Sequence, residues 1–107
     1  GYVNVLWNGQ TTLQLAKTIE QAIVSNLTGL HNIVPGMSIS KFRLLILFNQ
    51  YLRKNKIVIS PNKNFMSDKT LQTHCKLFNT FPSYETMIQE LAQWINDHKS
   101  MYDHYKY

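Results

Sequence analysis

The chain has 107 residues, 44% of them hydrophobic and 16% charged, with six Tyr, five Phe and two Trp. That supplies the apolar area of one ordinary core and excludes the disordered class, so one domain over residues 1–107 is expected. The single cysteine, Cys75, excludes an intramolecular disulfide framework and a cysteine-based zinc cage. The net charge of +5 excludes an acidic, solvating chain.

The longest apolar run, Leu44 to Phe48, is far short of the roughly 20 residues that cross a bilayer, and no signal-peptide pattern opens the sequence. An intracellular, reducing setting without a membrane partner follows as the expectation. On that expectation the Asn26-Leu27-Thr28 glycosylation sequon goes unused.

Tyr2 to Trp7 alternates Val3, Val5 and Trp7 on one side with Asn4 and Leu6 on the other, which predicts a strand ending at an Asn8-Gly9 turn. Thr11 or Thr12 caps a first helix in which Leu15, Ile19, Ala22 and Ile23 recur at helical spacing up to Leu27, and Thr28-Gly29 ends it. Leu30 to Met37 contains Pro35-Gly36 and reads as a loop. Ser38 or Ser40 caps a second helix running to about Lys54. Its apolar residues, Phe42, Leu44 to Phe48, Tyr51 and Leu52, cover most of the circumference and predict the centre of the fold.

The β-branched run Ile57-Val58-Ile59, the turn material Ser60 to Asn64 and then Phe65-Met66 predict a short β-ribbon. Ser67 caps a third helix with Leu71, Cys75 and Phe78 on one stripe. Ser83 caps a fourth, where Tyr84, Met87, Ile88, Leu91, Ile95, His98 and Tyr102 share a side. The fold class expected is therefore α+β, mostly helical, with four helices and a short β-ribbon.

Motifs for catalysis are missing: there is no Gly-rich phosphate loop and no nucleophile–base signature. His74 and Cys75 are adjacent, about 100° apart on a helix, which does not suit one metal. Asp97, His98, Asp103 and His104 are spaced by six residues, off any single helical face. No enzyme activity, cofactor or metal is expected, and Cys75 reads as a packed thiol.

Charge is more informative. No acidic residue lies between Gln21 and Ser67, while Lys41, Arg43, Arg53, Lys54, Lys56 and Lys63 all fall there. This basic middle is either a solvated face or a surface for an acidic partner, nucleic acid included. Helix order also permits a winged-helix reading, with the third helix as recognition helix. Lys69 and Lys76 would then be its only phosphate-neutralising groups, and the wing would precede it.

The stretch from Phe48 to Phe78 resembles the SWIB/MDM family of chromatin-remodeller subunits and ubiquitin ligases. The resemblance is carried by Asn49-Gln50-Tyr51-Leu52-Arg53-Lys54-Asn55-Lys56-Ile57, by Pro61 in the turn, and by Phe65-Met66-Ser67-Asp68-Lys69 with Leu71 to Phe78. Phe81-Pro82-Ser83-Tyr84 to Ile95 looks like the family's closing helix. Asn49 stands where the family has tryptophan, and Ile59-Ser60-Pro61 where it has Gln-Asp-Pro.

The resemblance implies an apolar cleft that takes a partner's amphipathic helix, in a nuclear chromatin or transcription complex. The wall residues it implies are Leu45, Phe48, Leu52, Leu71, Cys75, Phe78, Met87 and Leu91. A winged-helix-like DNA-binding module of a replication-origin or silencing protein, using the basic middle on phosphates, is the alternative.

Overall fold

The computed structural model describes residues 1–78 and 80–105. The first strand, β1 (Tyr2–Trp7), is followed by α1 (Thr12–Val24), a two-residue strand β2 (Ile39–Ser40), α2 (Lys41–Arg53), β3 (Asn62–Asp68) and α3 (Tyr84–Asp97). Short 3-10 turns occupy Lys76–Phe78 and Lys99–Tyr102.

The three helix starts are set locally. The hydroxyl oxygens of Thr11, Ser40 and Ser83 accept from the backbone N–H groups of Gln14, Arg43 and Thr86 at 3.1–3.2 Å, satisfying donors that the first turn leaves without partners. The second helix stops at Lys54 and Asn55, both in the left-handed region at φ 52° and 58°.

The sheet has the order β2-β1-β3. The end of β1 pairs antiparallel with β2, Leu6 opposite Ser40 and Trp7 opposite Ile39. β3 runs parallel to β1, from Tyr2 opposite Asn62 to Leu6 opposite Asp68, with a bulge between. A parallel neighbour requires a crossover, here the whole stretch from α1 through α2. α2 lies on β1 and β2, and α3 packs against both α2 and α1.

The core forms where these meet: Ile39, Leu47, Tyr84, Met87 and Ile88, flanked by Leu44, Phe48 and Tyr51. Leu47, at 2% exposure, puts α2 at the centre, as its apolar circumference predicts. Gly9 is fixed by close approach, since a Cβ there would lie 1.9 Å from the Trp7 ring.

Two expectations are corrected. Among the described residues the structure is α+β with three α-helices and a three-stranded mixed sheet, not four helices with a ribbon. The third helix is absent because other partners take its backbone. Ser67 and Asp68 belong to β3, and the Asp68 carboxylate accepts from the N–H and hydroxyl of Thr70 at 2.9 and 2.7 Å. Those bonds hold the carboxyl below its ordinary pKa. Further on, the Leu71 N–H and C=O are both taken by the Asn8 side chain, the Gln72 carbonyl accepts from Asn32, and the Cys75 N–H bonds the Thr73 hydroxyl. Side chains of this kind compete with the helical ladder, and Thr70 and Thr73 are weak helix formers.

The ribbon fails for a related reason. Asn62 to Asn64, read as turn material, begins β3, where the Asn62 N–H donates to the Gly1 carbonyl at 2.7 Å. Ile57 to Ile59 is left outside the sheet with Val58 93% exposed.

Candidate functional site: a cationic cleft between two helix ends

The end of α2 does not simply fray. The left-handed pair Lys54 and Asn55 turns the chain back, with Asn55 N–H on the Asn49 carbonyl and Lys56 N–H on the Arg53 carbonyl. The returning strand of this loop is clamped by a single side chain. Asn49, 7% exposed, donates from Nδ2 to the Ile57 carbonyl at 2.7 Å and accepts at Oδ1 from the Ile57 N–H at 3.1 Å. An amide carries the donor and acceptor needed to pair both backbone groups of one residue. Lys56 and Ile57 are thereby held as a wall beside the helix they left.

The opposite wall is the end of α3. Ala92, Ile95, Asn96 and Lys99 fall at i, i+3, i+4 and i+7, one face of the helix and its 3-10 continuation. The exit of α3 is fixed by His98, whose ring stacks on Trp94 with centroids 3.9 Å apart and whose N–H bonds the Trp94 carbonyl at 3.0 Å.

Between the walls lies a cleft of about 750 Å³. Its apolar surface comes from Leu52, Ile57, Ala92 and Ile95, and its cations are Arg53, Lys54, Lys56 and Lys99. Asp103 is the one carboxylate among its described lining residues, and Tyr51, Tyr102 and Tyr105 bring phenol rings. The Tyr51 hydroxyl donates to Glu85 Oε1 at 2.7 Å, which raises the phenol above its ordinary pKa. These groups suit the binding of an anion beside an apolar surface. Among the described residues no group of three or more His, Cys, Asp or Glu is placed to hold a metal.

Of the eight wall residues implied by the family resemblance, Leu52 alone lines this cleft. Met87 and Phe78 are buried, and Phe48 packs on the core. Leu45 is half-buried near Gly1, while Leu91 and Cys75 are half-buried elsewhere. Leu71, 54% exposed, borders a separate hollow of about 400 Å³ against Pro35 and Asn8. The eight do not form one groove.

The basic middle also divides. Arg53, Lys54 and Lys56 converge on the cleft. Lys41 and Arg43 open α2, about 15–18 Å away along a helix rising about 1.5 Å per residue. Lys63 sits on β3, outside the cleft lining.

Sequence reasoning missed Lys99 and Asn49. The 92-95-96-99 spacing was the available signal for Lys99. Asn49 was visible only as a departure from the family pattern. Comparison with protein-family models, with curated proteins and with solved structures gives no match for this chain.

Proposed function

We propose that this chain is a non-enzymatic interaction module that takes an amphipathic helix of a partner protein in the cleft between the ends of α2 and α3. The observation that carries the reading is the apolar strip that Leu52, Ile57, Ala92 and Ile95 contribute to a cleft also lined by polar and charged residues. This is the surface that the apolar stripe of a helix fits. Size agrees, since a cavity of about 150 Å³ already takes a benzene-sized group, so about 750 Å³ suffices for a few aliphatic or aromatic anchors.

The DNA-binding alternative would have to do without the recognition helix it placed at Ser67 to Phe78, where the chain is strand, loop and a 3-10 turn. The nuclear, chromatin-associated setting remains an implication of the SWIB/MDM resemblance alone.

The test is a fluorescently labelled amphipathic helical peptide titrated against the chain and against Ala92→Phe. Ala92 is half-buried in the cleft, and a phenyl ring there fills the strip. Binding that is lost in Ala92→Phe while circular dichroism is unchanged supports the proposal. Binding that survives the substitution places the partner elsewhere.

A further inference from the structure

The cleft carries more positive charge than its own architecture requires. Two helix ends open onto it, each bringing about half a negative charge from its macrodipole. Asp103 adds one more. Leaving aside Arg53, which has an interaction of its own, Lys54, Lys56 and Lys99 exceed the negative charge of the described lining by about one elementary charge. Dipole complementation, the ordinary reason for basic residues at helix C-termini, accounts for part of the set and leaves the rest.

The position of the surplus matters as much as its size. Lys56 is on the loop clamped by Asn49, and Lys99 is on the 3-10 continuation of α3, so the two reach the cleft from its two walls. Both are exposed, and their aliphatic stems extend the apolar walls while the ammonium groups stay in water.

We infer that the partner helix is acidic, with Asp or Glu on both sides of its apolar stripe, and that Lys56 and Lys99 select it. The inference rests on the proposed use of the cleft for a helix and adds the chemistry of the occupant. Leu, Ile or Phe anchors of the partner enter between Leu52 and Ile95, and its flanking carboxylates meet one lysine on each wall. The same lysines repel a basic amphipathic helix of equal hydrophobicity, so discrimination comes from both attraction and repulsion. Steering by the surplus charge speeds encounter, and this contribution fades with salt.

The experiment uses three peptides of about 15–20 residues with one shared apolar stripe and flanking positions all Glu, all Gln or all Lys. Each is titrated by fluorescence anisotropy against the chain and against the Lys56→Glu, Lys99→Glu double variant, whose folding is checked by circular dichroism. The Glu peptide should bind about tenfold tighter than the Gln peptide at low salt, and the Lys peptide weaker still. The gap should narrow between about 0.1 and 1 M salt, as the screening length falls from about 10 to about 3 Å. In the double variant the Glu and Lys peptides should exchange rank, with the Gln peptide unmoved.

Equal binding of the Glu and Gln peptides, both blocked by Ala92→Phe, would overturn the acidic partner and leave the groove reading standing. No binding by any peptide would sink the groove reading, and this inference with it. A duplex oligonucleotide that binds tighter than the Glu peptide and is lost in the double variant would reassign the cleft to nucleic acid.

Discussion

Asn49 shows how one side chain can build the wall of a cleft it does not line. Its amide pairs both backbone groups of Ile57, so Asn49→Ala leaves a part-buried N–H and C=O without their partner. The cost should be about 1–3 kcal/mol, read as a lower urea midpoint, and peptide affinity should fall with it. A variant as stable as the parent would mean that the Lys54–Ile57 loop is held by other contacts.

Asn8 makes a similar clamp, donating to the Pro35 and Leu71 carbonyls at 3.1 and 2.8 Å and accepting from the Leu71 N–H at 2.8 Å. It ties together two loops that come from distant parts of the chain.

Tyr84 belongs to the core and gives a pH prediction. Burial pushes its phenol up to about 12 from the ordinary 10, and its hydroxyl donates to the Met37 carbonyl at 3.2 Å. The folded chain then holds this proton more tightly than the unfolded chain. Its contribution is present in full below pH 10 and is lost as pH rises from 10 through about 12. Urea midpoints across that window should fall more steeply for the parent than for Tyr84→Phe, which has no phenol to titrate. Parallel slopes would place the Tyr84 hydroxyl in water.

At the scale of elements, α1 and α2 make opposite use of apolar residues. In α2 the stripe of Leu44, Leu47, Phe48 and Tyr51 packs into the core, and Leu47→Ala should cost about 2–5 kcal/mol. In α1 the periodic residues Leu15, Ile19 and Ile23 are exposed, Ile23 at 71%. The face of α1 turned to α3 instead buries Thr18, whose hydroxyl lies 2.9 Å from both Gln10 Oε1 and the Gln14 carbonyl, and carries the 2.7 Å Lys17–Glu90 ion pair. Thus Ile19→Gln and Ile23→Gln should each change stability by no more than about 0.5 kcal/mol. A loss above about 2 kcal/mol from either would show that the stripe is covered in solution.

For the whole molecule, the radius of gyration of 15.5 Å exceeds the roughly 13 Å of a compact chain this long, and the extents are 44 × 39 × 20 Å. A flat molecule buries few side chains completely, in line with eight buried hydrophobic residues among those described and with many apolar groups left at the surface. Because β1 contacts β2, β3 and α2, and α3 joins α1 to α2, the elements share one network and should melt together. Tryptophan fluorescence and far-ultraviolet circular dichroism should trace one urea transition. Separated curves would divide the chain into two folding units. A helix that binds only the folded chain should raise stability by about 2.7 kcal/mol when present at about 100 times its Kd.

What the sequence determined by itself was local. Thr11 or Thr12, Ser38 or Ser40, and Ser83 mark helix starts, and Thr11, Ser40 and Ser83 are the caps, because a cap needs only a side-chain oxygen and an N–H three residues on. The alternation of Tyr2 to Trp7 marked β1, and the apolar circumference of α2 marked the centre. The basic residues that reach the cleft, Arg53, Lys54 and Lys56, were legible too, since they adjoin in the chain.

Tertiary structure decided what depends on distant partners. β3 exists because β1 offers it a parallel neighbour some sixty residues away, a pairing with no local signature. The predicted third helix was lost to Asn8, 63 residues from Leu71, whose amide outcompeted the helical ladder for its backbone groups. Lys99 joined Lys56 because α2 and α3 end side by side. Sequence period records which faces of an element are apolar, and only packing settles which of those faces meet protein and which meet water.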